Sequence, residues 1–418
     1  MKILISSKDS TYTKGSFGGA ETSMRLLAEK LAENGHTVYY VARKRGEGFT
    51  ITLKKIAGVH VILYPNFAPG GPVKTDAEQP ERVKAIFMFL KRAKISLVKR
   101  LNKFLFDRAI EKANVGEIDI VYLYDQMSLL RYFVEKRRSG ARYKIVMRMA
   151  GLLWYKKILQ GPEKRRIFRE IFDELDAVNY ISAGLKMLAD KKAAEIGFKL
   201  DFRHSFVGDI GVDPDALPEL RKEERNDKTR NEPFRIMVAT RFSLTQKRHD
   251  LLVEAVRLID SKVAFKVVMI GDGPREASIR EMIRDYKLEG TIRVEPFRNQ
   301  EELWKEMQRA DLLCHPTDYE GLGKIVVESM ALGLPVLASD VLPLNNYIED
   351  DVTGFLVKND PEAWATRLTG ILEEREKLQT VSDASKEWVH HHLSADRCVK
   401  LFENEFRQLL QGHRNGGK

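Results

Sequence analysis

The sequence predicts an α/β protein with two doubly wound parallel sheets. At 418 residues the chain is longer than one hydrophobic core usually serves. Short apolar runs alternate with helical patterns through both halves, the rhythm of parallel strands joined by crossover helices. A polar stretch from Pro214 to Asn231, centred on Arg221-Lys222-Glu223-Glu224-Arg225, separates the halves as a linker would.

In order, Lys2-Ile3-Leu4-Ile5 reads as a first strand, a Gly-rich turn follows, and Glu21 to Asn34 carries Met24, Leu27 and Leu31 at helical spacing. Gly35 closes that helix, and Thr37 to Val41 is a second buried strand. Further apolar runs at Asp119–Leu123, Lys144–Met147 and Ala177–Ile181 continue the pattern. In the second half the candidate strands are Phe234–Ala239, Phe265–Ile270, Ile292–Val294, Asp311–Cys314 and Pro335–Ala338, and residues from Ala384 to Leu410 read as one or two amphipathic helices. The expected layout is a domain over 1–213, a linker at 214–232, a domain over 233–384 and terminal helices over 385–412.

Composition narrows the class. With 43% hydrophobic and 31% charged residues the chain is of the globular type. No apolar run approaches the roughly 20 residues that span a bilayer, and the opening Met-Lys-Ile-Leu-Ile-Ser is too short for a signal peptide, so a cytoplasmic location is expected. Cys314 and Cys398 lack partners at metal-ligand spacing and read as reduced thiols. A net charge of +10 calls for an anionic partner: nucleotide phosphates, anionic lipid, acidic glycan or nucleic acid.

Four segments are candidates for carrying chemistry. Gly15-Ser16-Phe17-Gly18-Gly19-Ala20-Glu21 lies between a strand and its helix, where backbone amides can meet a phosphate; as a tight turn without a ligand it reads equally well. Thr240-Arg241-Phe242 and Gln246-Lys247-Arg248-His249 put a planar guanidinium and a mobile ammonium on a strand-end loop, which taken alone reads first as a solvated basic loop and, beside the neighbouring motifs, as a pair suited to the growing charge of a diphosphate leaving group. Gly271-Asp272-Gly273-Pro274 ends the next strand as a glycine turn. In His315-Pro316-Thr317-Asp318-Tyr319-Glu320-Gly321-Leu322-Gly323-Lys324-Ile325-Val326-Val327-Glu328, a strand end, a glycine-flanked loop and a helix start coincide with two acids, and carboxylates grip paired hydroxyls.

These residues resemble the retaining glycosyltransferases of family 4, which have the GT-B fold: two Rossmann-like domains facing a central cleft. The likeness is strongest from Arg235 to Val357. It implies that Gly18 and Gly19 approach the donor, that Arg241 and Lys247 hold its diphosphate, and that Glu320 contacts the donor sugar and Glu328 the ribose. It also implies that Gly271, Gly273, His315, Gly321, Leu322, Gly323 and Lys324 complete the donor site. Asp176, Ser182, Gly211-Val212-Asp213, Ala331 to Pro335 and Gly354 to Val357 look like family landmarks, and the last helix is expected to cross back to the N-terminal domain. The chain departs from the family after its N-terminal strands, with Tyr124-Asp125 and Arg148-Met149-Ala150-Gly151 where histidines are common; Asp125 and Arg148 become the acceptor-side candidates. Leu342-Pro343 and Asn346 replace the usual glycine pair and glutamate.

The resemblance implies transfer of a sugar from a nucleoside diphosphate to an acceptor hydroxyl with retention and without a cofactor or metal, in lipopolysaccharide, lipid-linked or other surface-glycan synthesis. Asp213-Pro214-Asp215 opens the linker and is poorly placed for a metal. The segment Lys91–Lys112 alternates cations with apolar residues and reads either as a helix against an anionic membrane or as an ordinary helix with a solvated face. Two other functions share these features: a sugar-nucleotide 2-epimerase, and a non-catalytic binder of anionic polymer. No aromatic-and-basic pattern supports nucleic acid as the partner.

Overall fold

A computed structural model describes residues 1–9, 11–12, 19–44, 50–67, 81–114, 117–124, 126–218, 232–243 and 246–411. The chain divides into two compact units, residues 1–14 with 28–147 and residues 15–27 with 148–418.

The first sheet begins with β1 (Lys2–Asp9), followed by α1 (Gly19–Glu33) and β2 (Thr37–Arg43). Gly35, at φ +81°, ends α1 in a left-handed conformation that a side chain would resist. Strands β3 (Thr52–Ile56) and β4 (Val59–Tyr64) form an antiparallel pair, and α2 (Glu81–Lys112), β5 (Ile120–Tyr124) and α3 (Met127–Arg138) follow. In the first unit the order is β3-β4-β2-β1-β5, with Ile3 beside both Val38 and Ile120. β3 escapes a search for apolar runs because its exposed centre is Leu53-Lys54-Lys55. The reading also passed over β4, whose Val-His-Val-Ile-Leu-Tyr is an ordinary buried-strand sequence.

After β6 (Lys144–Met149) come α4 (Leu153–Ile158), α5 (Pro162–Phe172), β7 (Ala177–Tyr180), α6 (Ala183–Glu195) and β8 (Ser205–Val207), with β7 and β8 parallel. The second sheet is wholly parallel where its registers pair, in the order β11-β10-β9-β12-β13-β14. Its strands are β9 (Phe234–Ala239), β10 (Phe265–Ile270), β11 (Ile292–Glu295), β12 (Leu312–His315), β13 (Val336–Ser339) and β14 (Phe355–Val357). Between and after them run α7 (His249–Leu258), α8 (Glu276–Asp285), α9 (Gln300–Arg309), α10 (Lys324–Leu332), α11 (Pro361–Glu373), α12 (Lys377–His392) and α13 (Ala395–Gln411).

Strand alternation splits the core of this sheet into two layers. Phe234, Ile236 and Val238 of β9, Val267 and Met269 of β10, and Leu312 and Cys314 of β12 join one cluster with Leu251 of α7 and Trp364 of α11. Met237, Ile270 and Leu313 join the other, with Val326 and Met330 of α10 and Val389 of α12. Each such large side chain contributes about 1.5–3 kcal/mol by leaving water. The strand order reverses around β9, so the loops after β9 and β12 meet where such sheets bind ligands.

Helix α13 packs on β8 and the segment after it. Phe402 meets Phe206 edge-on at 5.6 Å, Glu405 bonds His204 at 2.6 Å, and the Ala395 amide donates to the Val212 carbonyl at 2.7 Å.

Candidate functional site

Two loops at the C-terminal edge of the second sheet are tied by their backbones. Lys247, after β9, forms an antiparallel bridge with Thr317, after β12. The Arg248 amide donates to the Pro316 carbonyl at 3.0 Å and the Asp318 amide to the Gln246 carbonyl at 2.9 Å. Thr317 is fixed in turn, its amide donating to Ser339 Oγ at 2.8 Å.

This ladder brings Lys247, His315 and Glu320 into direct contact. Glu320 Oε1 lies 2.8 Å from His315 Nε2 and forms an ion pair with Lys247 Nζ, which is 3.2 Å from the same imidazole nitrogen. Glu320 Oε2 accepts from Gln246 Nε2 and from the Gly321 amide, each at 3.3 Å. His315 and Glu320 are buried. Desolvation pushes the Lys247 ammonium down to about 7, outweighing the carboxylate beside it. Burial, then the nearby Lys247 charge, holds His315 well below the usual histidine range, so it is neutral.

At the far end of the Gly321–Gly323 loop a second group forms around α10. Gly323, the N-cap, has φ +83°, and a Cβ on Gly321 would lie 2.6 Å from the Ala150 carbonyl oxygen. The first-turn amides of α10 present the positive end of a helix buried along nearly its whole length. Glu328 is buried, accepts from Gln300 Nε2 at 3.2 Å and lies 3.7 Å from Lys324 Nζ. Burial raises the Glu328 carboxyl and lowers the Lys324 ammonium, the mutual attraction opposing both shifts. Lys324 Nζ also donates to Thr22 Oγ1 at 2.7 Å, and a Cβ on Gly19 would lie 3.1 Å from Lys324 Cβ. The start of α1 thus reaches α10.

The remaining candidates are placed as follows. Arg241 is exposed on the loop after β9. Gly271 and Gly273 lie against that loop, where a Cβ would come within 2.2 Å of the Thr240 carbonyl oxygen and 2.4 Å of that of Phe242. Leu322 is buried, and its carbonyl accepts from Tyr347 Oη at 2.6 Å. Arg148 is 2% exposed, with Nη2 3.6 Å from Asp209 Oδ1, while its Nε and Nη1 have no hydrogen-bond partner among the described residues. Gly18 and Asp125 lie outside the described residues.

Sequence reading missed Gln300, Thr22 and Asp209. The Asn299-x-x-Glu302 capping box fixes the start of α9 and so places Gln300 in its first turn. An arginine in the apolar run Lys-Ile-Val-Met-Arg-Met demands a buried counter-charge, which is Asp209. Nothing local marks Thr22.

Residues 220–388 match the model of the family described as glycosyl transferases group 1. Over almost its full length the chain is similar to the N-acetyl-α-D-glucosaminyl L-malate synthase of Bacillus anthracis, 21% identical across 403 residues, 96% of this chain and 97% of that protein. It is 27% identical over 210 residues to the putative colanic acid biosynthesis glycosyltransferase WcaL of Escherichia coli strain K12, covering 48% of this chain and 51% of that one. The Anabaena HepE structure in complex with UDP and glucose superposes with a TM-score of 0.70 at 16% identity, covering 98% of this chain and 100% of that one. The solved neighbour shares the GT-B fold, and the family match together with the sequence relatives supports a glycosyltransferase of the family 4-like type.

Proposed function

We propose that the protein transfers a sugar from a nucleoside diphosphate sugar to an acceptor hydroxyl with retained anomeric configuration and without a metal, in the synthesis of a cell-surface glycan. The contact of Lys247, His315 and Glu320 beside the N-terminus of α10 carries this reading. A diphosphate at the Gly321–Lys324 amides and Lys247 has its leaving-group charge offset by groups that need not reorganise, the task a divalent ion performs in other enzymes. Arg241 adds a second cation from its exposed loop. Glu320 accepts hydrogen bonds from the donor sugar and Glu328 from the ribose. The bond from the anomeric carbon to the phosphate oxygen breaks, the acceptor oxygen bonds to that carbon, and the acceptor's proton passes to the departing phosphate oxygen. A neutral His315 keeps Glu320 in place without adding charge.

Colanic acid biosynthesis, named for the Escherichia coli relative, supports a role in surface-polysaccharide synthesis, and the UDP and glucose bound to HepE suggest a hexosyl nucleotide as donor. Arg148, whose Nε and Nη1 have no hydrogen-bond partner among the described residues, is the acceptor-side residue of this reading. Helix α2 suggests where the acceptor is met. Leu97, Leu101 and Phe104 are exposed along one stripe, among exposed Lys94, Arg100, Lys103 and Arg108, the composition of a helix lying on an anionic bilayer from the cytoplasmic side. No helix among the described residues is long and apolar enough to cross a membrane.

The test is incubation with a panel of sugar nucleotides, with and without chelator, following donor consumption and the anomeric proton of the product by NMR. Expected are a retained anomer, a rate indifferent to chelator, and a loss of about 100-fold or more in Glu320→Gln. An inverted anomer, or undiminished turnover by that variant, would overturn the assignment.

A further inference from the structure

A second pocket, of about 570 Å³, is lined by Ile181, Ser182, Leu322, Tyr347, Trp388 and His392, and its wall is largely apolar. Its volume is in the range of roughly 300–1,000 Å³ typical of small-molecule sites. Three rings form a stack in it: Trp388 lies 4.6 Å from His392 at 18°, and 6.0 Å from Tyr347 at 28°. Two exposed cations, Arg397 and Lys400, also line it. The one acid in the lining, Asp209, is engaged by Arg148, and burial raises its carboxyl. An apolar wall with an aromatic stack and two cations at solvent matches a flat apolar body bearing one negative charge.

The same wall holds the loop of the donor site. Tyr347 Oη donates to the Leu322 carbonyl and Ser182 Oγ to the Gly321 carbonyl, both at 2.6 Å. The side chain of Leu322 is itself part of the lining. A ligand packed on Tyr347 and Leu322 would restrict the loop from its apolar side, so that a nucleotide arriving at the loop amides would have less disorder to remove.

We propose that this pocket is a regulatory site for a small anionic aromatic amphiphile, and that its occupancy tightens nucleotide binding through the Gly321–Gly323 loop. The coupling rests on the donor reading above; the pocket does not. By linkage the effect is reciprocal: a bound nucleotide tightens the amphiphile by the same factor.

Anilinonaphthalene sulfonate, an apolar fluorophore with one sulfonate, is the probe. Its fluorescence titration on the full chain is compared among wild type, Leu401→Trp, which places an indole in the lining, and the charge-reversal pair Arg397→Glu/Lys400→Glu. One saturable site is expected, lost in the first variant and weakened at least about fivefold in the second. Equal binding by all three proteins would overturn the pocket. Should the tryptophan variant lose its native circular dichroism, the charge-reversal pair alone decides. In a second arm UDP, GDP and ADP are titrated with and without saturating dye, and the best binder is expected to tighten at least about threefold. An unchanged affinity would overturn the coupling. If no nucleotide binds at all, the donor reading and the coupling fall together, while the dye comparison still decides the pocket.

Discussion

Lys247 sets how the site responds to pH. Its ammonium is held down to about 7 by burial, and a diphosphate beside it would raise that value in the complex. The bound form thus holds the proton more tightly than the free form, so affinity is full below about pH 7 and falls as pH rises from there toward the raised value, by up to about tenfold per unit. Calorimetric titration of nucleotide from roughly pH 6 to pH 9 should show this fall, and Lys247→Arg should flatten it because guanidinium stays charged. A fall of equal size in the arginine variant would assign the titration elsewhere. Arg148 and Asp209 make a second residue-level case. Removing the acid alone, as Asp209→Ala, strands a buried guanidinium and should cost about 3–5 kcal/mol in denaturant unfolding. The double change Arg148→Met/Asp209→Leu should recover most of that; a double variant as unstable as the single one would show that the pair contributes by shape rather than charge. Glu320, Lys247 and His315 were legible in the sequence because each falls at a strand end marked by glycines or by the start of a helix. Gln300 and Thr22 were not, since their bonds to Glu328 and Lys324 span 28 and 302 residues.

Helix α10 carries the loop geometry through its caps. Gly323 and Gly333 both adopt left-handed backbone, at φ +83° and +74°, and each would strain by about 1–2 kcal/mol if given a side chain. Gly323→Ala and Gly333→Ala should therefore both lower the melting temperature. Only the first should also weaken nucleotide binding, by about three- to tenfold, because it alone distorts the amides beside Glu320. Equal nucleotide affinity in both variants would separate the loop from the donor. At this scale the sequence was most transparent where burial was two-sided: β9, β10, β12 and β13 are nearly pure apolar runs. It was opaque at β3, whose lysines face solvent, and at β8 and β14, each only 3 residues long. The segment Lys91–Lys112 belongs to a helix that begins at Glu81, and its exposed side mixes cations with apolar residues instead of presenting a purely basic face.

For the molecule as a whole, the charge of +10 and the stripe on α2 make membrane association measurable. Co-sedimentation with vesicles containing anionic lipid should exceed that with zwitterionic vesicles and weaken with salt. Leu97→Glu/Phe104→Glu should abolish it while leaving turnover of a water-soluble acceptor intact. Binding unaffected by that substitution would place the contact on another face. The two-sheet architecture was legible from the rhythm of apolar runs, whereas the particular side chains that cover α13 were not, because an amphipathic helix shows that it has an apolar face without naming what covers it. Those partners carry a kinetic consequence. The bond between His204 and Glu405 closes a span of 201 residues, and the contact of Phe206 with Phe402 closes one of similar size. Contacts so distant in sequence repay their closure cost only once the intervening sheet has formed, so the seating of α13 on β8 is expected to come late in folding.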